Sequence, residues 1–318
     1  MDKLDFALLR EILGAGKSNL PIEGPRKSCG VLARKLAVDE NTVRRRMRRF
    51  QDSGFVTRWT LKVNPQLLGL NEAQMWVDFD DKAVSKKSVM EKVALVQGVV
   101  KLKEFLGPSF SAIMLYERAD ELTRTIELIS KIAGSSKDVL LTISSYPKCP
   151  IALSPTDVRI IQALQENPWM RYNELSKSLK ISARTIRRHF RRLVENHAVF
   201  TQPMIDATVL EGTLMANLLV FYDGSDEQAR INERIILRIG DGLLLPELHR
   251  EHSFFCFAAK SVSEIEEMSE FLRSMRGVKS HRIKLVCSIV NTGLYSPATR
   301  RRDSSIFIPL QTSSGRAR

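Results

Sequence analysis

Apolar residues recur along this chain with two different periods, and the two periods alternate in the same order twice. "LDFALLREIL" places Leu4, Leu8 and Ile12 on one stripe at helical spacing, and "SPTDVRIIQALQEN" does the same with Val158, Ile161 and Leu164. Ser154, Pro155 and Asp157 supply a helix start: a hydroxyl cap, a proline in the first position and a carboxylate in the first turn. A short second helix follows in each case, marked by Leu32 and Leu36 or by Leu175 and Leu179. Then come a turn ("AVDEN", "KISAR") and a third helical pattern. Past Gly54 the spacing in "SGFVTRWTLKV" switches to the alternation of short strands. Three helices and a small hairpin predict a winged helix-turn-helix.

The segments that follow alternate differently. "AQMWVDFD" reads as a strand, "SKKSVMEKVALV" as a helix, "VVKLKEFLG" and "SFSAIMLYE" as strands, "ADELTRTIELISKIAG" as a helix and "DVLLTISSY" as a strand. The second series is "LMANLLVFYD", "SDEQARINERIILRIG", "GLLLPELHRE", "HSFFCFAAK", "SVSEIEEMSEFLRSMRG" and "VKSHRIKLVCSIV". The order βαββαβ predicts a ferredoxin-like module with both helices on one face of an antiparallel sheet. The other face then needs cover from a second sheet or subunit.

The duplication is visible residue by residue at a constant offset of 143 positions. Leu32 aligns with Leu175, Thr42 with Thr185, Arg44 and Arg45 with Arg187 and Arg188, Gly69 with Gly212 and Asp80 with Asp223. The expected fold class is α+β, with two winged helix-turn-helix domains, 1–70 and 147–213, each followed by a ferredoxin-like domain, 71–146 and 214–293. "YPKCPIALSP" is the expected join, and 294–318 the expected flexible basic tail, with Arg300–Arg302 as an additional basic run. An insert between the first two helices, "GAGKSNLPIEGPRKSC", has no counterpart in the second half, and its "GAGK" lacks the rest of a phosphate loop.

Charge narrows the partners. The 318 residues carry a net charge of +13, which suits nucleic acid, an anionic membrane surface or an acidic protein. No apolar run reaches the roughly 20 residues needed to span a bilayer, and the N-terminus lacks a signal-peptide pattern. Four scattered cysteines without a CxxC pair argue for reduced thiols in a cytoplasmic protein, with no metal site and no disulfide framework.

The excess charge is concentrated in "NTVRRRMRRF" and "RTIRRHFRRL". Val43, Met47 and Phe50 form one apolar stripe, as do Ile186, Phe190 and Leu193. At about 100° per residue, Arg45, Arg48, Arg188 and Arg191 point away from those stripes, while Arg46 and His189 lie nearest the core. Such a helix suits the major groove of duplex DNA, where guanidinium groups reach guanine edges or phosphates. The N-terminal turn of a recognition helix contacts bases, so Asn41, Arg44, Arg45, Arg184, Arg187 and Arg188 are assigned to base edges. Thr42, Arg48, Arg49, Thr185, Arg191 and Arg192 are assigned to phosphate. The competing interpretation is a solvated helix face. Unbalanced arginine, repeated in both halves, argues against it.

"LARKLAVDENTVRRRMRRFQDSGFVTRW" with "NPQLLGL", "LSPTDVRIIQALQENPWMRYNELSKSLKISARTIRRHFRRL" and the βαββαβ part after each resemble regulators of the Lrp/AsnC type. The resemblance implies a transcription regulator whose βαββαβ module dimerises sheet to sheet. It also implies a small-molecule effector, in many members an amino acid. Two departures stand out. The chain carries two units, so its halves could form an internal pseudo-dimer in place of a homodimer. The family's Gly and Asp between the middle strands are reduced to Gly107 in one half and absent from "LHREHSFF" in the other, which disfavours an amino acid. The expected function is sequence-specific binding of double-stranded DNA, with two recognition helices in successive major grooves, no catalysis and no cofactor. The alternative is a siroheme decarboxylase-like enzyme. Those proteins resemble this architecture, and His249, Arg250 and His252 partly echo their histidine- and arginine-bearing segment.

Overall fold

The first helix of each half sets the pattern for the whole fold. In the computed structural model, α1 (Lys3–Leu13) buries Phe6, Leu8, Leu9 and Ile12 against α2 (Cys29–Leu36) and α3 (Glu40–Asp52). The structure describes residues 1–13, 29–80, 84–134, 140–144, 146–206, 209–210, 212–224, 227–249, 251–291, 293–294 and 308–309. Most of the insert between α1 and α2, the basic tail with Arg300–Arg302, and Arg250 lie outside the described residues.

β1 (Val56–Val63) leads through a 3-10 turn (Pro65–Leu68) into β2 (Asn71–Asp78), α4 (Lys86–Ala94), β3 (Val99–Phe105), β4 (Ser109–Tyr116), α5 (Ala119–Ala133) and β5 (Leu140–Ser144). The second half repeats the series: α6 (Pro155–Glu166), α7 (Tyr172–Leu179), α8 (Ala183–Glu195), β6 (Val199–Ile205), β7 (Leu214–Tyr222), α9 (Gln228–Ile239), β8 (Leu243–Leu248), β9 (His252–Ala259), α10 (Val262–Arg273) and β10 (Val278–Asn291). Duplication extends to backbone strain. Ala37 and Lys180, at equivalent places in the turn before the arginine helices, take left-handed φ values of 53° and 54°. The turn geometry imposes this on residues other than glycine, at a cost of about 1–3 kcal/mol each.

Each βαββαβ series forms the expected module. Its strands run in the antiparallel orders β5-β2-β4-β3 and β10-β7-β9-β8, and Met75 pairs with Ala112 in β4 and Leu141 in β5. Alternate residues of β2 (Ala73, Met75, Val77) pack under α4 and α5. Their counterparts in β7 (Ala216, Leu218, Val220) pack under α9 and α10. The fold class read from the sequence, α+β with winged helix-turn-helix and ferredoxin-like parts, is the one observed.

One local expectation is corrected. The strand after each arginine helix does not form a hairpin within its own half; β1 and β6 pair with each other in a two-stranded sheet. Each segment supplies a single strand with no turn of its own, so the partner comes from the other copy. Thr57 Oγ1 donates to the Met204 carbonyl at 3.1 Å.

Contacts divide the chain crosswise into two units, Met1–Leu61 with Phe200–Ser288, and Lys62–Val199 with Ile289–Arg318. In the first, the α1–α3 core continues into Met215 and Leu244 of the second module. In the second, a buried polar joint links the first module to α6–α8. Asn64 is inaccessible to solvent. Its Nδ2 donates to the carbonyls of Pro147 and His197, both at 2.9 Å, and its Oδ1 accepts from Gln66 N–H at 3.0 Å. Nearby, Lys62 and the Tyr146 hydroxyl both donate to buried Glu72, at 2.8 and 2.7 Å. Replacing Asn64 by Ala leaves those carbonyls dry and unpaired. It should lower unfolding stability by about 2–4 kcal/mol, measured as a shifted midpoint in urea.

Candidate nucleic-acid interface

The arginine helices begin with matching side-chain caps. Asp39 Oδ1 accepts from Thr42 N–H at 2.8 Å, and Oδ2 accepts from the Thr42 hydroxyl at 2.5 Å. At the start of α8, Ser182 Oγ accepts from Thr185 N–H at 3.1 Å and lies 2.9 Å from Thr185 Oγ1. Thr42 and Thr185, read as phosphate ligands, therefore direct their hydroxyls to the caps. The Thr42 hydrogen bonds hold the Asp39 carboxyl below its ordinary pKa.

The inward faces are as the periodicity implies. Val43 and Phe50 are buried, with Met47 half-buried, and Ile186, Phe190 and Leu193 are buried. Asn41, Arg44, Arg45, Arg48 and Arg49 are exposed, as are Arg184, Arg187, Arg188, Arg191 and Arg192. Among the described residues the guanidinium groups of Arg45, Arg48, Arg184, Arg188 and Arg191 make no hydrogen bond or ion pair. Arg44 pairs with Glu40 one turn earlier at 2.6 Å. Arg187 lies over the Tyr172 ring, 5.5 Å from its centroid, and Tyr172 in turn meets Phe190 edge-on at 6.3 Å.

Behind each exposed face lies a buried carboxylate that the periodicity did not reveal. Asp5 and Asp157 are 1% and 0% exposed. Arg46, 17% exposed, donates to Asp5 Oδ1 at 2.7 Å and to both oxygens of Asp2 at 2.7 Å, while Arg49 donates to Asp5 Oδ2. In the second half His189 Nδ1 is 2.8 Å from Asp157 Oδ1, and Arg192 donates to Asp157 Oδ2. Arg49 and Arg192, assigned to phosphate from the sequence, thus each spend one donor on the protein, yet their side chains remain 56% and 43% exposed.

The same carboxylates close the first turns of α1 and α6. Asp5 accepts from Asp2 N–H at 2.9 Å and Asp2 accepts from Asp5 N–H at 2.9 Å. Ser154 and Asp157 make the equivalent reciprocal box. Burial by itself would raise the Asp157 pKa. The Ser154 and His189 hydrogen bonds and the Arg192 charge outweigh it, and the carboxyl titrates below its ordinary value. The Arg46 hydrogen bond lowers Asp2 likewise. The Ser-x-x-Asp spacing was the available signal, but it announces a cap and not a counterion.

The histidines of "HREHSFF" lie elsewhere, on the second module. The rings of His249 and His252 stack with centroids 4.8 Å apart, and burial lowers both pKa values, helped at His252 by the neighbouring His249. The equivalent positions in the first half hold Leu106 and Ser109. No cluster of metal-ligating side chains occurs among the described residues.

A family model described as winged helix-turn-helix DNA-binding matches residues 153–199. An uncharacterized HTH-type transcriptional regulator of Pyrococcus abyssi is 29% identical over 109 residues, 34% of this chain and 67% of that protein. Another from Pyrococcus horikoshii is 27% identical over the same shares. Among solved structures, E. coli AsnC covers 48% of this chain and 97% of its own, with a TM-score of 0.32 and 18% identity. The sequence likeness thus reaches a winged helix-turn-helix of the DNA-binding kind and regulators of the HTH type. The chain's tandem form has a full-length likeness: the siroheme decarboxylase NirDL matches over 90% of this chain and 91% of its own, with a TM-score of 0.53. At 16% identity that likeness extends to the fold alone.

The buried counterion yields a pH prediction. Because the folded pKa of Asp157 is depressed, its contribution is complete above the unfolded value of 3.8 and is lost as pH falls below it. Asp157→Asn should cost about 3–5 kcal/mol at neutral pH. In thermal melts the gap between wild type and variant should narrow below about pH 4.

Proposed function

We propose that the protein is a transcription regulator that binds double-stranded DNA in a sequence-specific manner, using α3 and α8 as recognition helices. One observation carries this reading. Each of two capped helices, anchored on its inner side, presents a row of arginines to solvent, and the guanidinium groups of Arg45, Arg48, Arg184, Arg188 and Arg191 bond to no other described residue. Like charges at this spacing repel one another, and an anionic ligand relieves the repulsion. The match of 153–199 to a DNA-binding winged helix model and the regulator names of the archaeal relatives support it. Asn41, Arg44, Arg45, Arg184, Arg187 and Arg188 would read base edges. Arg48, Arg49, Arg191 and Arg192 would meet phosphates, and the caps at Thr42 and Thr185 would hold the helix ends against the backbone. In this reading the four modules follow the boundaries near 70, 146 and 213, and the two helices enter successive major grooves, ~34 Å apart. Since Asn41 stands opposite Arg184 in the repeat, the preferred site is an imperfect palindrome.

A second reading, decarboxylation of a siroheme-type substrate, is favoured by the fold shared with NirDL and by the stacked, half-buried His249 and His252. Titrating siroheme into the protein distinguishes the two readings. A shifted absorption spectrum that is lost in a His249→Ala, His252→Ala double variant favours the enzyme, and an unchanged spectrum removes it.

For the DNA reading, the Arg45→Ala, Arg188→Ala double variant should retain its melting temperature, since neither guanidinium bonds to another described residue. It should lose most discrimination between a selected site and scrambled duplex, with each bidentate contact worth about 1–3 kcal/mol. Arg48→Ala and Arg191→Ala should instead weaken binding to all sequences. Each should reduce the slope of log affinity against log salt by about 1. Fluorescence anisotropy with labelled duplexes measures both effects.

A further inference from the structure

We propose that Asp5 and Asp157 are positioning residues for the two DNA-reading helices. Each fixes the rotation of its arginine helix and grips Arg49 or Arg192 from behind, so that the guanidinium is already oriented when it meets a phosphate. The proposal rests on the duplex-binding reading above and names residues that act on DNA only through another side chain.

Three features carry it. First, both carboxylates sit at the third position of their helix, receive the backbone N–H of the first box residue, and take a cation from the arginine helix at equivalent repeat positions. The same geometry recurs in two copies whose surrounding side chains have diverged. Secondly, the guanidinium fork is only partly used. Arg192 gives Nη2 to Asp157, with a long 3.5 Å contact to the Ala152 carbonyl, and stays 43% exposed. Arg49 gives Nη2 to Asp5 and stays 56% exposed. A guanidinium carries five donors, so the outer side of each fork retains donors for a phosphate. A purely structural anchor has no need of this, because well-packed apolar residues serve as well as a buried ion pair.

Thirdly, the two anchors differ by a matched exchange. The first holds Asp2 and Asp5 against Arg46 and Arg49; the second holds Ser154 and Asp157 against His189 and Arg192. Relative to the first, the second has lost one carboxylate and one guanidinium together. Each cluster holds as many guanidinium groups as carboxylates. A cluster that merely filled space would tolerate either change alone. The paired change implies that charge balance around the inner carboxylate is maintained.

The test uses the full chain and a labelled duplex carrying the selected site. Arg192→Gln should lower the salt slope by about 1. Asp157→Asn should weaken binding, and the Asp157→Asn, Arg192→Gln double variant should be no weaker than the worse single variant, because the carboxylate acts through that arginine. Additive losses, or an unchanged slope in Arg192→Gln, overturn the proposal while leaving duplex binding intact. Failure of the wild-type chain to bind duplex overturns both. The exchange variants test the charge balance without removing the buried carboxylate. Ser154→Asp should lower the melting temperature by several degrees, and adding His189→Arg should restore both melting and affinity. A double variant no better than Ser154→Asp alone also overturns the proposal.

Discussion

A buried carboxylate gripped by the arginine helix is the constraint on which each winged helix-turn-helix depends. Asp157 has no solvent-accessible surface, and an unpaired charge there would cost several kcal/mol. It is tolerated because both oxygens are used: Ser154 and Arg192 on one, His189 on the other. Asp5 solves the same problem with Asp2, Arg46 and Arg49. One interaction thereby closes the first turn of one helix and fixes the rotation of another.

That fixed rotation explains how a helix so rich in arginine can exist. The inner face is held by Val43 and Phe50, or by Ile186, Phe190 and Leu193, and by the anchor beside them. The outer face is free of such obligations, which leaves Arg45, Arg48, Arg188 and Arg191 exposed. Glu40 relieves part of the repulsion through Arg44, and Tyr172 offers Arg187 an aromatic face. The helix is thus divided into a structural half and a solvent-exposed half.

The modules behind the heads are assembled across the duplication. The core of α1–α3 runs into Met215 and Leu244, residues of the second module, and Asn64 joins the first module to the segment entering α6. An apolar patch left open at the end of one copy is closed by the other. Each contact unit therefore combines segments from both copies of the repeat.

The sequence alone determined the repeat, the order of elements and the division of each arginine helix into inner and outer faces, because these follow from local periodicity. Val43, Phe50, Ile186, Phe190 and Leu193 were legible at once, and so were Arg46 and His189 as the residues nearest the core. Only the tertiary structure decided the rest. The role of Asp157 could not be read from its own helix, since its partners lie 32 and 35 residues away on α8. The pairing of β1 with β6 was equally hidden: strand alternation shows that a strand exists but is silent about which edge it joins. Periodicity is a property of neighbours along the chain, whereas counterions and strand partners are chosen among residues that folding brings together.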